Sequence, residues 1–252
     1  MTKNIDQKKE NEEKDRVLLR INSSFGPFIE NCKIDDLLSP STNQAIKHTV
    51  TQLEYFFERP ITTINQDILK RYTEITTQET HVTITPSYQN IIERIIDPLI
   101  SAKRQYCLGE YLSCIALSGI ISEMLTLLIW KMSNFNIRGQ KITEEDEKKL
   151  FGQSFEDIRQ IRRENILLAI KTIGGKIYEQ FEVIRNIRNK YLHSWEYDTR
   201  QQKGDANKTI LAAFKLYKAI ADMTLVIKEG NQTISISPAL LDYLKSSNLD
   251  KN

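Results

Sequence analysis

The stretch "CIALSGIISEMLTLLIW", Cys114 to Trp130, restricts most strongly what this chain can fold into. It is apolar on almost every side of a helix, so a single groove cannot bury it and other helices must surround it. Its 17 residues fall short of the roughly 20 needed to span a membrane, and Ser118, Ser122, Glu123 and Thr126 interrupt it. We read it as the buried central helix of a bundle. The rest of the chain agrees: nine glycines and six prolines in 252 residues, few alternating apolar and polar runs, and many segments with apolar residues three and four apart. The expected fold class is all-α.

Three regions follow. Residues 1–86 read as a polar tail followed by a helical extension. "MTKNIDQKKENEEKDR" is a solvated run with no apolar core for an export signal, and "SPSTNQAIKHTVTQLEYFFERP" is a helix with Ser/Thr cap candidates that runs through Phe57 and stops by Pro60. "ITTINQDILKRYTEITTQETHVTITP" suits a strand as well as a helix. Residues 87–229 read as a bundle of four to five helices: Tyr88 to Cys107, Glu110 to Met132 after a break near Gly109, Phe155 to Ile173, Tyr178 to about Trp195, and Ala206 to Lys228. Gly174 and Gly175 suit the C-terminal cap of the third. "SNFNIRGQKITEEDEKK" is a polar connection whose acidic run starts a solvated helix, and "EYDTRQQKGD" is a loop. Residues 230–252 form a tail in which Ser237, before Pro238, suits the start of a short helix. No internal repeat is visible.

Charge and cysteines narrow the function classes. A formal net charge of +2 is far from the basic excess of a protein that grips long duplex by phosphate neutralisation, so any nucleic-acid contact is local. Cys32, Cys107 and Cys114 are odd in number and form no CxxC pair, which argues against a disulfide framework or a zinc knuckle and for a reducing compartment. Cys107 and Cys114 read as small core residues. No GxxxxGK[ST] loop is present, and "TIGGKI" has too few glycines at the wrong spacing, so an ATPase or kinase has no footing. We expect no cofactor, no metal, no membrane association and a cytoplasmic location.

The chemistry concentrates in "RNKYLHSWEYD", residues 188–198. Arg188 and His193 lie at the C-terminal end of a bundle helix, Asn189 follows the arginine, and the core helix carries Gly119 four residues ahead of Glu123. Cutting RNA without a metal needs a base for the 2′-hydroxyl proton, an acid for the leaving 5′-oxygen and a cation for the charge gathering at phosphorus. A histidine titrates near neutral pH, and an arginine is a permanently charged fork matched to phosphate oxygens. On an ideal helix 189 and 193 share a face, whereas 188 and 193 point roughly 140° apart. Either the helix ends before His193 or the working pair comes from two chains. From residue 154 to 190, eight basic residues stand against five acidic ones, modest support for a polyanion nearby.

This combination, and "IRNIRNKYLHSW" in particular, resembles the HEPN superfamily, helical-bundle domains whose signature is an Arg, four to six residues, then a His, commonly with Asn directly after the Arg. The resemblance covers residues 87–229 and leaves 1–86 unexplained. It implies a metal-independent endoribonuclease that works as a homodimer, with Arg188, Asn189 and His193 catalytic at a site between protomers. Arg185, Lys190 and Tyr191 are carried as RNA contacts, and Glu123 as a partner that hydrogen-bonds Arg188 or His193. Toxin–antitoxin or antiviral defence, with an inhibitory or defence-system partner protein, enters by family analogy alone.

Plainer readings stand beside these. His193 as a helix-end cap packed on Trp195, Arg188 and Glu123 as structural ion-pair members, and Tyr191 as core are each open on the residues alone. His48 and His81 lack ligand-spaced neighbours. Two rival functions remain: a catalytically silent HEPN-like module that binds RNA or nucleotide, and a helical scaffold for dimerisation and partner docking.

Overall fold

A computed structural model describes residues 33–39, 42–76, 89–133, 135–137, 140–192, 198–227 and 234–236. The chain is predominantly helical. In order, the described elements are α1 (Ile34–Leu38), α2 (Gln44–Phe57), α3 (Gln66–Ile75), α4 (Gln89–Leu108), α5 (Tyr111–Met132), the strand pair β1 (Asn136–Ile137) and β2 (Gln140–Lys141), α6 (Glu144–Phe151), α7 (Gln160–Ala169), α8 (Gly175–Leu192), α9 (Gln202–Thr224) and the strands β3 (Leu225–Ile227) and β4 (Ile234–Ile236). Both strand pairs are antiparallel.

Helix α5 is the axis of the fold, packed by α4, α7, α8 and α9. It is long and apolar enough to cross a membrane by length and composition, and here other helices cover much of it: Cys114, Ile115, Ile121, Leu125 and Ile129 are all buried, while Leu112 and Ile120 remain exposed. Its buried hydroxyls are satisfied locally, Ser118 Oγ donating to the Cys114 carbonyl at 2.8 Å and Thr126 Oγ1 to the Glu123 carbonyl at 2.7 Å. The break before it falls at Gly109, whose φ of 90° is a conformation that an L side chain rarely adopts. Arg71 of α3 donates from Nε to the Cys107 carbonyl at 2.5 Å, closing the end of α4 from outside.

The first helices share this core. Leu53, Phe56 and Phe57 of α2 and Leu69, Tyr72 and Ile75 of α3 are buried in the same cluster as Leu99, Tyr106 and Phe214 of the bundle. Lys103 of α4 is buried among them, its Nζ 4.4 Å from the Tyr72 ring centre, 5.5 Å from Phe56 and 5.8 Å from Phe214. Burial lowers its pKa to about 7, with Cys107 acting weakly the other way. Glu74 of α3 accepts from Tyr106 at 2.9 Å and from Lys203 of α9 at 2.9 Å.

Several boundaries differ from the sequence expectation for identifiable reasons. Asn43, rather than the Ser/Thr candidates, caps α2, its Oδ1 accepting from the Ala45 amide at 2.9 Å. The ambiguous segment after Pro60 forms a 3-10 turn and then α3, because Asn65 accepts from the Ile68 amide and starts a helix with one buried face; residues 77–88 lie outside the described residues. The polar connection holds α6, started by a reciprocal bond pair between Thr143 and Asp146. Helix α7 is shorter than Phe155 to Ile173. Glu147 takes the Phe155 amide at 2.8 Å and Ser154 bonds the Asp157 carboxylate at 2.6 Å, which holds those residues in turns. Lys171, at φ 60°, occupies the left-handed position after α7, while Gly174 and Gly175 lead into α8. The expected loop at 196–205 contributes the first turn of α9, and α9 stops at Thr224 where β3 begins. The suggested start at Ser237 lies outside the described residues.

Candidate active site

Helix α8 positions the site. Phe181 and Ile184 anchor it in the core, which turns the opposite edge, with Asn186 and Asn189, to solvent. Arg188 lies between those faces. Its aliphatic stem crosses α5 at Gly119, so closely that a Cβ built there would stand 2.3 Å from Arg188 Cδ and 3.1 Å from Cγ. One helical turn later, Glu123 meets the guanidinium in an ion pair through Nη1 and Oε1. A methyl at 119 would have to displace the stem, and a side chain four residues on stands one turn further along the same face, where the head group lies. The pair is partly wet, with side-chain exposures of 17% for Arg188 and 43% for Glu123. Arg188 Nη2 also reaches the exposed Asn189 Oδ1 at a long 3.4 Å, while Arg188 Nε is buried without a hydrogen-bond partner. The structure thus brings Arg188, Asn189 and Glu123 together.

The other expected residues are placed differently. Arg185 is buried and paired with Glu164 of α7, itself fully buried, with Glu182 at 3.9 Å. Burial lowers the Arg185 pKa and the neighbouring Arg188 charge adds to the effect. Tyr191 is buried too, its hydroxyl donating to Asp205 of α9 at 2.9 Å. Neither side chain presents a surface to RNA in this conformation, because each faces a neighbouring helix rather than solvent. Lys190 is more accessible and bonds Asp205 at 3.0 Å and Gln201 Oε1 at 3.2 Å. Burial would raise the Asp205 pKa, yet the bonds from Lys190 and Tyr191 outweigh it and hold the carboxyl below its ordinary range. The end of α8 is therefore clamped on two sides, by Arg188 on α5 and by Lys190 and Tyr191 on α9. Helix α8 as described ends at Leu192, and His193 and Trp195 lie outside the described residues.

A polar seam behind Arg188 escaped the sequence reading. Where α7 meets α5, Gln160 Nε2 donates to Ser122 Oγ at 2.7 Å. Arg163, three residues on, is buried with its Nε lacking a hydrogen-bond partner. Burial depresses its pKa, and the charges of Glu123 and then Glu156 oppose that. The one available signal was "RQIRREN", too charged for a face that must pack on a core helix unless partners wait there. Elsewhere, His48 is exposed and bonded to Gln52, Cys107 and Cys114 are buried free thiols, and Cys32 and His81 lie outside the described residues. Among the described residues no group of three or more His, Cys, Asp or Glu side chains is placed to hold a metal ion.

Chemically, the site is an arginine fork tethered by one carboxylate beside an exposed amide, five and four residues before His193 in the chain. Such a fork binds a phosphate by exchanging the carboxylate for phosphate oxygens. No family model, curated protein or solved structure matches this chain.

Proposed function

We propose that the chain is a HEPN-type, metal-independent endoribonuclease. The observation that carries this reading is the seating of Arg188 over Gly119 and against Glu123, with Asn189 exposed beside it and His193 next after the helix. In the proposed reaction the 2′-hydroxyl attacks the adjacent phosphorus and the bond to the 5′-oxygen breaks, giving a 2′,3′-cyclic phosphate and a 5′-hydroxyl. Arg188 neutralises charge on the non-bridging oxygens, His193 serves the proton transfers, and the Asn189 amide orients the phosphate or the imidazole. Lys190 adds a phosphate contact at the rim.

The working form is a homodimer in the cytoplasm in which Arg188 of one protomer and His193 of the other serve one cleft. Exposed Ile120 and Leu192, on the two helices that carry Arg188 and its cradle, support a face that a second copy covers. A role in toxin–antitoxin or antiviral defence, with a restraining partner protein, follows from family analogy.

The test incubates the purified full chain with structured RNA in excess EDTA, alongside His193→Ala and Arg188→Ala, and analyses product ends. Cleavage that survives chelation, yields cyclic phosphate ends and is lost in both variants is expected. Intact RNA with folded, dimeric wild type would leave the silent binding module or the docking scaffold, and RNA affinity would separate those two.

A further inference from the structure

The seam behind Arg188 contains a third charged member that the proposed reaction has not used. Helix α7 is fixed at both ends of one face, Gln160 on Ser122 of α5 and Glu164 on Arg185 of α8. Arg163 lies on that face between the two anchors, and is buried. Ser122 adjoins Glu123 in α5 and Arg185 lies one turn before Arg188 on α8, so the two anchors tie α7 to the two segments that carry the ion pair. Arg163 thus lies buried behind the turn of α5 where Glu123 holds Arg188, with no ion pair of its own to that carboxylate in this conformation. The Glu123 charge is the largest one acting on Arg163 in the favourable direction, and the Nε of each arginine is buried with an unmet donor.

We propose that Arg163 is a positioning residue that shares Glu123 with Arg188 and takes over the carboxylate when Arg188 turns to a phosphate. This rests on the reading of Arg188 as the phosphate-binding cation. The physical requirement is simple. When Arg188 leaves for an anion, Glu123 would stand uncompensated beside the incoming negative charge, and a second guanidinium behind it removes that cost. Without Arg163, Glu123 belongs to Arg188 alone and holds it more tightly.

The experiment reads Arg188 directly, by the rate at which phenylglyoxal modifies it, quantified by peptide mass spectrometry on the full-length protein. Expected is a rate about threefold slower in Arg163→Met than in wild type, a near wild-type rate in Arg163→Lys, and a fast rate in Glu123→Gln that Arg163→Met no longer changes. Arg163→Gln serves as a second uncharged variant, and circular dichroism selects the variants that fold. In parallel, a 2′-deoxy-substituted oligonucleotide that cannot be cut should protect Arg188 in wild type and at least threefold less well in Arg163→Met. An unchanged Arg188 rate in the folded uncharged variants, or an equal slowing in Arg163→Lys, overturns the sharing of Glu123. If the rates behave as expected but oligonucleotide never protects Arg188, the hand-over to phosphate is overturned together with the phosphate-binding reading, and the sharing alone stands.

Discussion

Replacing Gly119 with alanine separates the cradle from the stability of the fold. The added methyl would stand 2.3 Å from Arg188 Cδ, and carbon atoms in contact sit at about 3.5–4.0 Å, so the stem must retreat by roughly 1.2 Å or more. That retreat draws the guanidinium off Glu123. Alanine in place of glycine inside a helix is worth about 1 kcal/mol. Against this stand the partly exposed ion pair, about 0.5–1 kcal/mol, and a displaced side chain, about 0.5–1.5 kcal/mol. The net change in stability is therefore a loss of between ~0 and ~1.5 kcal/mol, a shift of a few degrees in melting temperature for a chain of this size. Under the proposed function cleavage should respond far more strongly, because displacing a cation that acts in catalysis by about an ångström costs on the order of a hundredfold in rate. Denaturant unfolding followed by circular dichroism, together with RNA cleavage, makes the comparison. Adding Gly119→Ala to Arg188→Ala should lower cleavage no further and should raise stability by the helix gain of about 1 kcal/mol. Wild-type cleavage by Gly119→Ala would refute the cradle, and a loss of more than about 3 kcal/mol would show that Arg188 at this point is tight packing with no freedom to move.

Two further outcomes concern the interior. The Lys103 pKa of about 7 lies well below its ordinary 10.5, so above pH 7 the unfolded chain holds the extra proton and stability rises with pH, by up to ~1.4 kcal/mol per unit. From about pH 9 the sign reverses, since burial pushes the Cys107 thiol up to about 12 and the Cys114 thiol well above its ordinary range, and two unfolded thiols losing their protons outweigh the one proton held by unfolded Lys103. Thermal unfolding across this range should peak at roughly pH 8–9, and Lys103→Met should flatten the rising limb; a flat wild-type profile would contradict the burial of a charged amine. At the other buried charge, Glu164→Ala strands Arg185 and should cost about 3–5 kcal/mol in urea unfolding, whereas Glu164→Leu with Arg185→Met should recover most of that loss.

The helical class and the central position of α5 were legible because an all-round apolar helix has one solution, to be surrounded. Glu123 was expected to meet Arg188 or His193 because a carboxylate in an apolar helix needs a polar partner, and Arg188 is the one of the two that the described residues bring to it. Arg185 was read toward RNA because it lies one turn before Asn189, near the Asn189 and His193 face, and the carboxylate that buries it, Glu164, belongs to another helix that no spacing rule connects to it. Lys103 in "SAKRQY" reads as surface for the same reason, its aromatic neighbours coming from α2, α3 and α9. Boundary errors had a different origin. Gly174 and Gly175 signal a break without saying which helix they serve, and the turn at 154–158 is set by the distant Glu147.

The shared core of α2, α3 and the bundle constrains how this chain is cut or altered by recombination. A fragment beginning at α4 would keep Arg188, Gly119 and Glu123, yet it would open Leu99, Ala102 and Tyr106 to water and leave the Lys103 amine without the rings of Phe56 and Tyr72. The half of the chain that carries the candidate site is thus not portable: a gene fusion that borrows it must carry the preceding helices too, and a protease that severs them removes part of the wall of the core.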